Sequence, residues 1–216
     1  AQLATDARRE LALASRSVAI FAQRFPAHPD RPAAVLVLAH LHRVDGDWAT
    51  ARTHFLEALA LHESLGSRDE ASRAAARTWA AFCAAKLGKV REGLAEFEAG
   101  LRALEAAAGA QSLLARFHRG HYADLLHQAG RHGQAHAVFD ALARTAVPGS
   151  PTVVDFDNAV YRADAWLREG RPREAERVLL AFDATHVEFG KRFYPNGVRW
   201  ATLLAHLDRP VGEVRA

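Results

Sequence analysis

The stretch Val44-Asp45-Gly46-Asp47-Trp48-Ala49-Thr50-Ala51-Arg52-Thr53-His54-Phe55-Leu56-Glu57-Ala58 decides how the chain is read. A glycine marks a tight turn, and a helix follows with small residues at Ala51 and Ala58 and a ring at Phe55. The same figure returns three more times. With the glycine as origin, the set is Gly46, Gly88, Gly130 and Gly170, spaced by 42, 42 and 40 residues. Five residues later stand Ala51, Gly93, Ala135 and Ala175, and nine later stand Phe55, Phe97, Phe139 and Leu179. Seven earlier stand Ala39, Ala81, Ala123 and Ala163. Four columns kept in register at such a period mark an array of stacked repeats.

Each column has a physical role. The glycine ends one helix in the left-handed region without a Cβ penalty. The small residues before and after it fall where the two helices of a hairpin cross, so the axes can approach closely. A leucine in place of Ala81 would overpack that crossing at about 1–3 kcal/mol. The ring column fills the space between one hairpin and the next. A single hairpin cannot bury these faces alone, so its stability depends on its neighbours.

These small-Gly-small-aromatic columns, with Trp48 two residues after its glycine, resemble the tetratricopeptide repeat family over roughly residues 32–189. The period exceeds the ~34 residues of the standard unit, which is similar to the long units of bacterial signalling regulators and motor-associated light chains. Val35, Arg77, Arg119 and Ala159 stand where the family usually places a tryptophan. The resemblance implies an all-α, right-handed superhelical solenoid of antiparallel helix hairpins.

In order along the chain, residues 3–25 read as a long helix with a stripe of Leu11, Ala14, Val18 and Phe21. Pro32 is placed to start the next helix. Full units are expected at about 32–66, 67–109, 110–150 and 151–190, with partial units at 1–31 and 191–216, all in one array. Gly93 and Gly100 suggest close backbone approach. Pro148-Gly149-Ser150-Pro151 is expected to be a loop between repeats, and Tyr161, Trp166, Val178 and Phe182 the core of the fourth unit. Residues 197–207 read as a fifth first helix, with a turn at Arg209–Gly212. The chain holds no methionine and stops after that turn, so an excerpt of a longer array is expected.

Composition narrows the function classes. Half of the 216 residues are hydrophobic, enough for a continuous core, and the net charge of +3 is small for this length. Of the 28 basic residues only Lys86, Lys89 and Lys191 are lysines. No like-charge run forms a basic tail, so no nucleic acid is expected to bind directly. No apolar stretch of ~18 residues occurs, and neither membrane insertion nor a signal peptide is expected; a cytoplasmic location is favoured. Cys83 stands alone, excluding an internal disulfide, and reads as a buried helix residue.

In the tetratricopeptide arrangement the first helix of each unit lines a concave face. Residues six, three and two before each glycine would point there. The resulting candidates for binding a peptide or partner helix are His40, Arg43, Phe82, Lys86, Asp124, His127, Gln128, Asp164 and Arg168. Arg43, Lys86 and Arg168 would hold carboxylates.

The twelve histidines include two pairs at helical spacing, His118 with His121 and His132 with His136. Zinc needs three or four convergent ligands, and Asp124 is the nearby acid in the sequence. No metal site and no cofactor are therefore expected. No nucleophile motif or phosphate loop occurs, so no catalytic residue is expected. Two functions follow: a non-catalytic scaffold binding a peptide or helix in its groove, or the sensory segment of a larger bacterial transcription regulator.

Overall fold

In the computed structural model of the chain, residues 2–146 and 152–180 are described, the side chains of residues 2–7 and 180 excepted. The Pro148–Pro151 loop, Phe182, and the expected elements at 197–207 and 209–212 lie outside them. Every regular element among the described residues is an α-helix: α1 (Gln2–Arg24), α2 (Arg31–Asp45), α3 (Trp48–Ser64), α4 (Glu70–Lys86), α5 (Val90–Ala108), α6 (Leu113–Gln128), α7 (His132–Thr145), α8 (Val153–Arg168) and α9 (Pro172–Leu180). The all-α helical-hairpin repeat inferred from the columns is the fold observed. No helix among the described residues is long and apolar enough to cross a membrane.

The turns carry the repeat. Gly46, Gly88, Gly130 and Gly170 have φ of +83°, +94°, +75° and +71°. Each amide donates back to a carbonyl of the preceding helix, as in Gly46 N to Arg43 O at 3.2 Å. The next residue reaches one step further back: Asp47 to His42, Lys89 to Ala84, Arg131 to Leu126 and Arg171 to Trp166, at 2.9–3.1 Å. This pair of hydrogen bonds is the Schellman closure, which satisfies carbonyls the helix would leave bare. Helix starts are fixed as locally. Pro32 lies in the first turn of α2, and Asp47 and Asp69 accept the Thr50 and Ser72 amides as N-caps.

The chain forms two compact units, Ala1–Ala115 and Arg116–Ala216. In the first, α1 packs on α2, α2 on α3, α3 on α4 and α4 on α5. Its ring column is closed to water, with Phe55 and Phe97 both at 0% exposure. Val35, Ala58 and Leu61 form an apolar cluster, against which Val18 and Leu36 pack. The close approaches at Gly93 and Gly100 are real. A Cβ on Gly93 would stand 2.7 Å from Ala81 O and Ala85 N, and one on Gly100 would stand 2.8 Å from Thr78 Cγ2. Such distances leave room for hydrogen alone, which is why α5 can lie directly on the alanine-rich face of α4.

In the second unit, α8 packs on α9 and α7 on α8. The expected core of the fourth hairpin needs correction. It is built from Phe156, Val160, Ala163, Ala175 and Leu179, with Trp166, Leu167 and Val178 packed against them. Tyr161 is only half-buried. Ala163 fixes the crossing face, and positions three and seven before it, Val160 and Phe156, share that face. Tyr161 is one residue further round the helix and instead meets the His121 ring edge-on at 5.0 Å. The crossing column is buried throughout, from Ala39 and Ala81 in the first unit to Ala123 and Ala163 in the second.

Candidate interaction face

In the first unit, α2 and α4 bring four of the expected residues together around Trp79. The Arg43 guanidinium lies 4.3 Å from the centre of the Trp79 ring, and Lys86 Nζ lies 4.9 Å from the centre of the Phe82 ring. Both are cation–π contacts, and Trp79 meets Phe82 edge-on at 5.5 Å. His40 completes the set, edge-on to Trp79 at 5.4 Å and to Phe55 at 5.0 Å. Its Nδ1 accepts from Arg43 Nε at 3.4 Å. Two cations are thus laid over an aromatic floor.

Phe82 does not face water. It is 3% exposed, closed in by Trp48, Trp79 and Phe97. The aromatic in the middle of the lining therefore supports Lys86 and is itself inaccessible to a partner. The ring of Trp48, two residues after its glycine, is what closes over it.

Burial and then the Arg43 charge hold the His40 imidazole down at about 4, against an ordinary 6.5. A group depressed in the folded state contributes stability that is complete above its unfolded value and is lost as pH falls through the folded one. Stability is therefore expected to drop between about pH 6.5 and 4 and to level off below, by at most roughly 3 kcal/mol, less for the ring's partial exposure. Urea unfolding of the native chain and of His40→Leu across that window checks this. The native midpoint should fall further than the variant's, and parallel midpoints would contradict it.

In the second unit, α6 and α8 supply the expected residues. Gln128 Nε2 donates to Asp124 Oδ2 at 2.6 Å. Arg168 Nη1 stands 3.6 Å from Asp124 Oδ1 while Nη2 pairs with Asp164. Asp124 is 5% exposed and His127 6%, so what reaches solvent here is Gln128, Arg168 and, partly, Asp164. Asp124 holds the others in place.

His127 belongs to a different group. Its Nε2 lies 3.1 Å from Glu169 Oε1, which also receives His136 Nε2 at 2.7 Å and faces His132 Nδ1 at 3.5 Å. Burial, reinforced by His132, holds the His127 imidazole below its ordinary value against the pull of Glu169. Burial alone would raise the Glu169 carboxyl, but the bonds from His136 and then His127 outweigh it and bring it down. The second histidine pair, His118 and His121, is buried instead among rings, with Phe117 4.8 Å from His121. Glu169 is the residue the sequence reading passed over. It stands 42 residues after His127, two more than the 40 between Gly130 and Gly170, so the two share no column and the repeat did not signal their meeting.

Cys83 is buried in α4, and burial pushes its thiol up to about 11. It is a protonated packing residue at neutral pH, as its mid-helix position suggested.

No protein-family model matches the sequence, and no curated protein is significantly similar to it. Solved structures are. A putative kinesin light chain of nearly identical TPR-like repeats from Podosopora anserina superposes with a TM-score of 0.58 at 18% identity, covering 97% of this chain and 92% of that one. A singly substituted form of that protein gives 0.61 at 19%, over 88% and 91%. BtubC (BKLC) from P. vanneervenii gives 0.64 at 16%, over 97% and 92%. At these identities the likeness is one of fold. With the four glycine turns and the buried columns, it gives the chain the fold of the tetratricopeptide-like helical repeats.

Proposed function

We propose that this chain is a non-catalytic protein-interaction module that takes up a peptide segment or partner helix on its first helices, with one face on α2 and α4 in the first unit and another on α6 and α8 in the second. The observation that carries this reading is the placement of Arg43 and Lys86 over Trp79 and Phe82. A cation held on a ring has less side-chain freedom to lose on binding, which favours recognition of a carboxylate. Arg168, braced by Asp124 and Asp164, offers a third such group beside the amide of Gln128. The partner that fits is a polar segment with acidic side chains. Buried Phe82, Asp124 and His127 serve as supports. Acidic groups in the same lining weigh against a phosphate backbone as the ligand, and the exposed faces of stacked repeats commonly serve as binding surfaces.

The test is a pull-down from cell lysate read by mass spectrometry, comparing the native chain with Arg43→Glu, Lys86→Glu, Arg168→Glu combined. A protein retained by the native chain and lost from the variant supports the reading. Identical recoveries would overturn it for this face. Equal helical signal from the two baits excludes misfolding as the cause.

A further inference from the structure

We propose that His127, His132 and Glu169 form a binding site for a divalent transition-metal ion of the zinc class, with His136 orienting the carboxylate. The three side chains come from different places in the second unit: the end of α6, the start of α7 and the residue after α8. One ligand atom from each lies within 4.8 Å of the other two.

The distances carry the argument. Zinc bonds of 2.0–2.2 Å to imidazole nitrogen and carboxylate oxygen put the corners of a tetrahedron about 3.3–3.5 Å apart. Glu169 Oε1 stands 3.5 Å from His132 Nδ1, the length of such an edge, and 3.1 Å from His127 Nε2, a hydrogen bond slightly shorter than one. His136 Nε2 is nearer, at 2.7 Å, which is a hydrogen-bond length. Its ring is stacked on Trp166 with centroids 3.5 Å apart and planes 13° from parallel. His136 is therefore locked in orientation and suited to fix the carboxylate, as groups behind metal ligands usually do.

Hydrogen bonding accounts for two of the three imidazoles around this oxygen and leaves the third to be explained. Hydrogen bonds from His127 and His136 take up the two lone pairs of Oε1, and His132 Nδ1, 3.5 Å from the same oxygen, stands beyond them. A cation on the nitrogen side of that oxygen would engage the surplus imidazole. The donor set of two imidazoles and one carboxylate suits zinc, nickel, copper or cobalt, whereas calcium and magnesium want oxygen alone. The His132 side chain is 48% exposed while those of His127 and Glu169 are at 5% and 19%, so the site opens to solvent on one side. The fourth position falls to water. Bound there, the ion would join the turn of the third hairpin to that of the fourth.

The experiment uses the full chain without a histidine tag, freed of metal by chelator and titrated with Co2+, then with Zn2+ in competition. The expected result is the strong visible absorption of tetrahedral Co2+, displaced by Zn2+ at one equivalent. His132→Ala, an exposed position whose loss leaves the fold intact, should weaken Zn2+ binding at least about tenfold. Glu169→Gln should do the same, and His54→Ala in the first unit should change nothing. Absence of the tetrahedral Co2+ spectrum would overturn the proposal. So would a His132→Ala chain that titrates like the native one, since binding would then belong to scattered surface histidines.

Discussion

Phe97→Ala is expected to destabilise the chain by about 3–5 kcal/mol, the range for emptying a fully buried aromatic site. Phe97 is at 0% exposure and stands in the ring column on α5, tilted against Phe82 with centroids 6.5 Å apart. Phe82 in turn touches Trp48 and Trp79. Removing the Phe97 ring leaves a void beside Phe82, whose ring is already held by Trp48 and Trp79. Phe97→Leu keeps most of the volume and should cost about 1.5 kcal/mol or less. Urea unfolding followed by tryptophan fluorescence measures both changes, and a cost for Phe97→Ala below that of Phe97→Leu would contradict the packing described.

Arg116→Met should have an effect of similar size, for an electrostatic reason. The Arg116 guanidinium pairs with Asp155, and their side chains are 8% and 4% exposed. Asp155 also closes a capping box at the start of α8. It accepts Thr152 Oγ1 at 2.7 Å and Thr152 N at 2.8 Å, while its own amide donates to Thr152 Oγ1 at 3.3 Å. Removing the arginine leaves that carboxylate buried without its cation, at about 3–5 kcal/mol. Adding Asp155→Asn to Arg116→Met removes the stranded charge and keeps an oxygen for the cap, so the double variant should be more stable than Arg116→Met alone. A double-mutant cycle by chemical denaturation checks this, and strict additivity would contradict a coupled pair.

What the sequence made legible was whatever the repeat period encodes. Left-handed glycines, alanines at the crossings and buried rings at Phe55, Phe97 and Phe139 each depend on one position in a periodic pattern. The first helix followed instead from its own stripe of Leu11, Ala14, Val18 and Phe21, with α1 at Gln2–Arg24 against an expected 3–25. Side-chain partnerships between hairpins are another matter. Arg116 and Asp155 are 39 residues apart, and His127 and Glu169 are 42 apart. Periodicity brings such positions level with each other, but it does not say which side chains will meet there. The sequence search for a metal looked for acids nearby along the chain and so stopped at Asp124. Phe82 shows a different limit. Its column holds His40, Asp124 and Asp164 in the other hairpins and reads as an open face. At Phe82 the column closes, because Trp48 supplies a large ring beside it, and at Asp124 it is closed as well.

The most direct test of the interaction reading is photocrosslinking from defined positions. A photoreactive side chain would be placed at Lys86 or Gln128, on the first helices α4 and α6, and separately at Leu56 or Arg102, exposed on the second helices α3 and α5. Each chain would be irradiated with the protein recovered by the native bait. Adducts are expected from positions 86 and 128 and none from 56 and 102. Adducts confined to 56 and 102 would show that the partner lies on the opposite helices, and would contradict that reading.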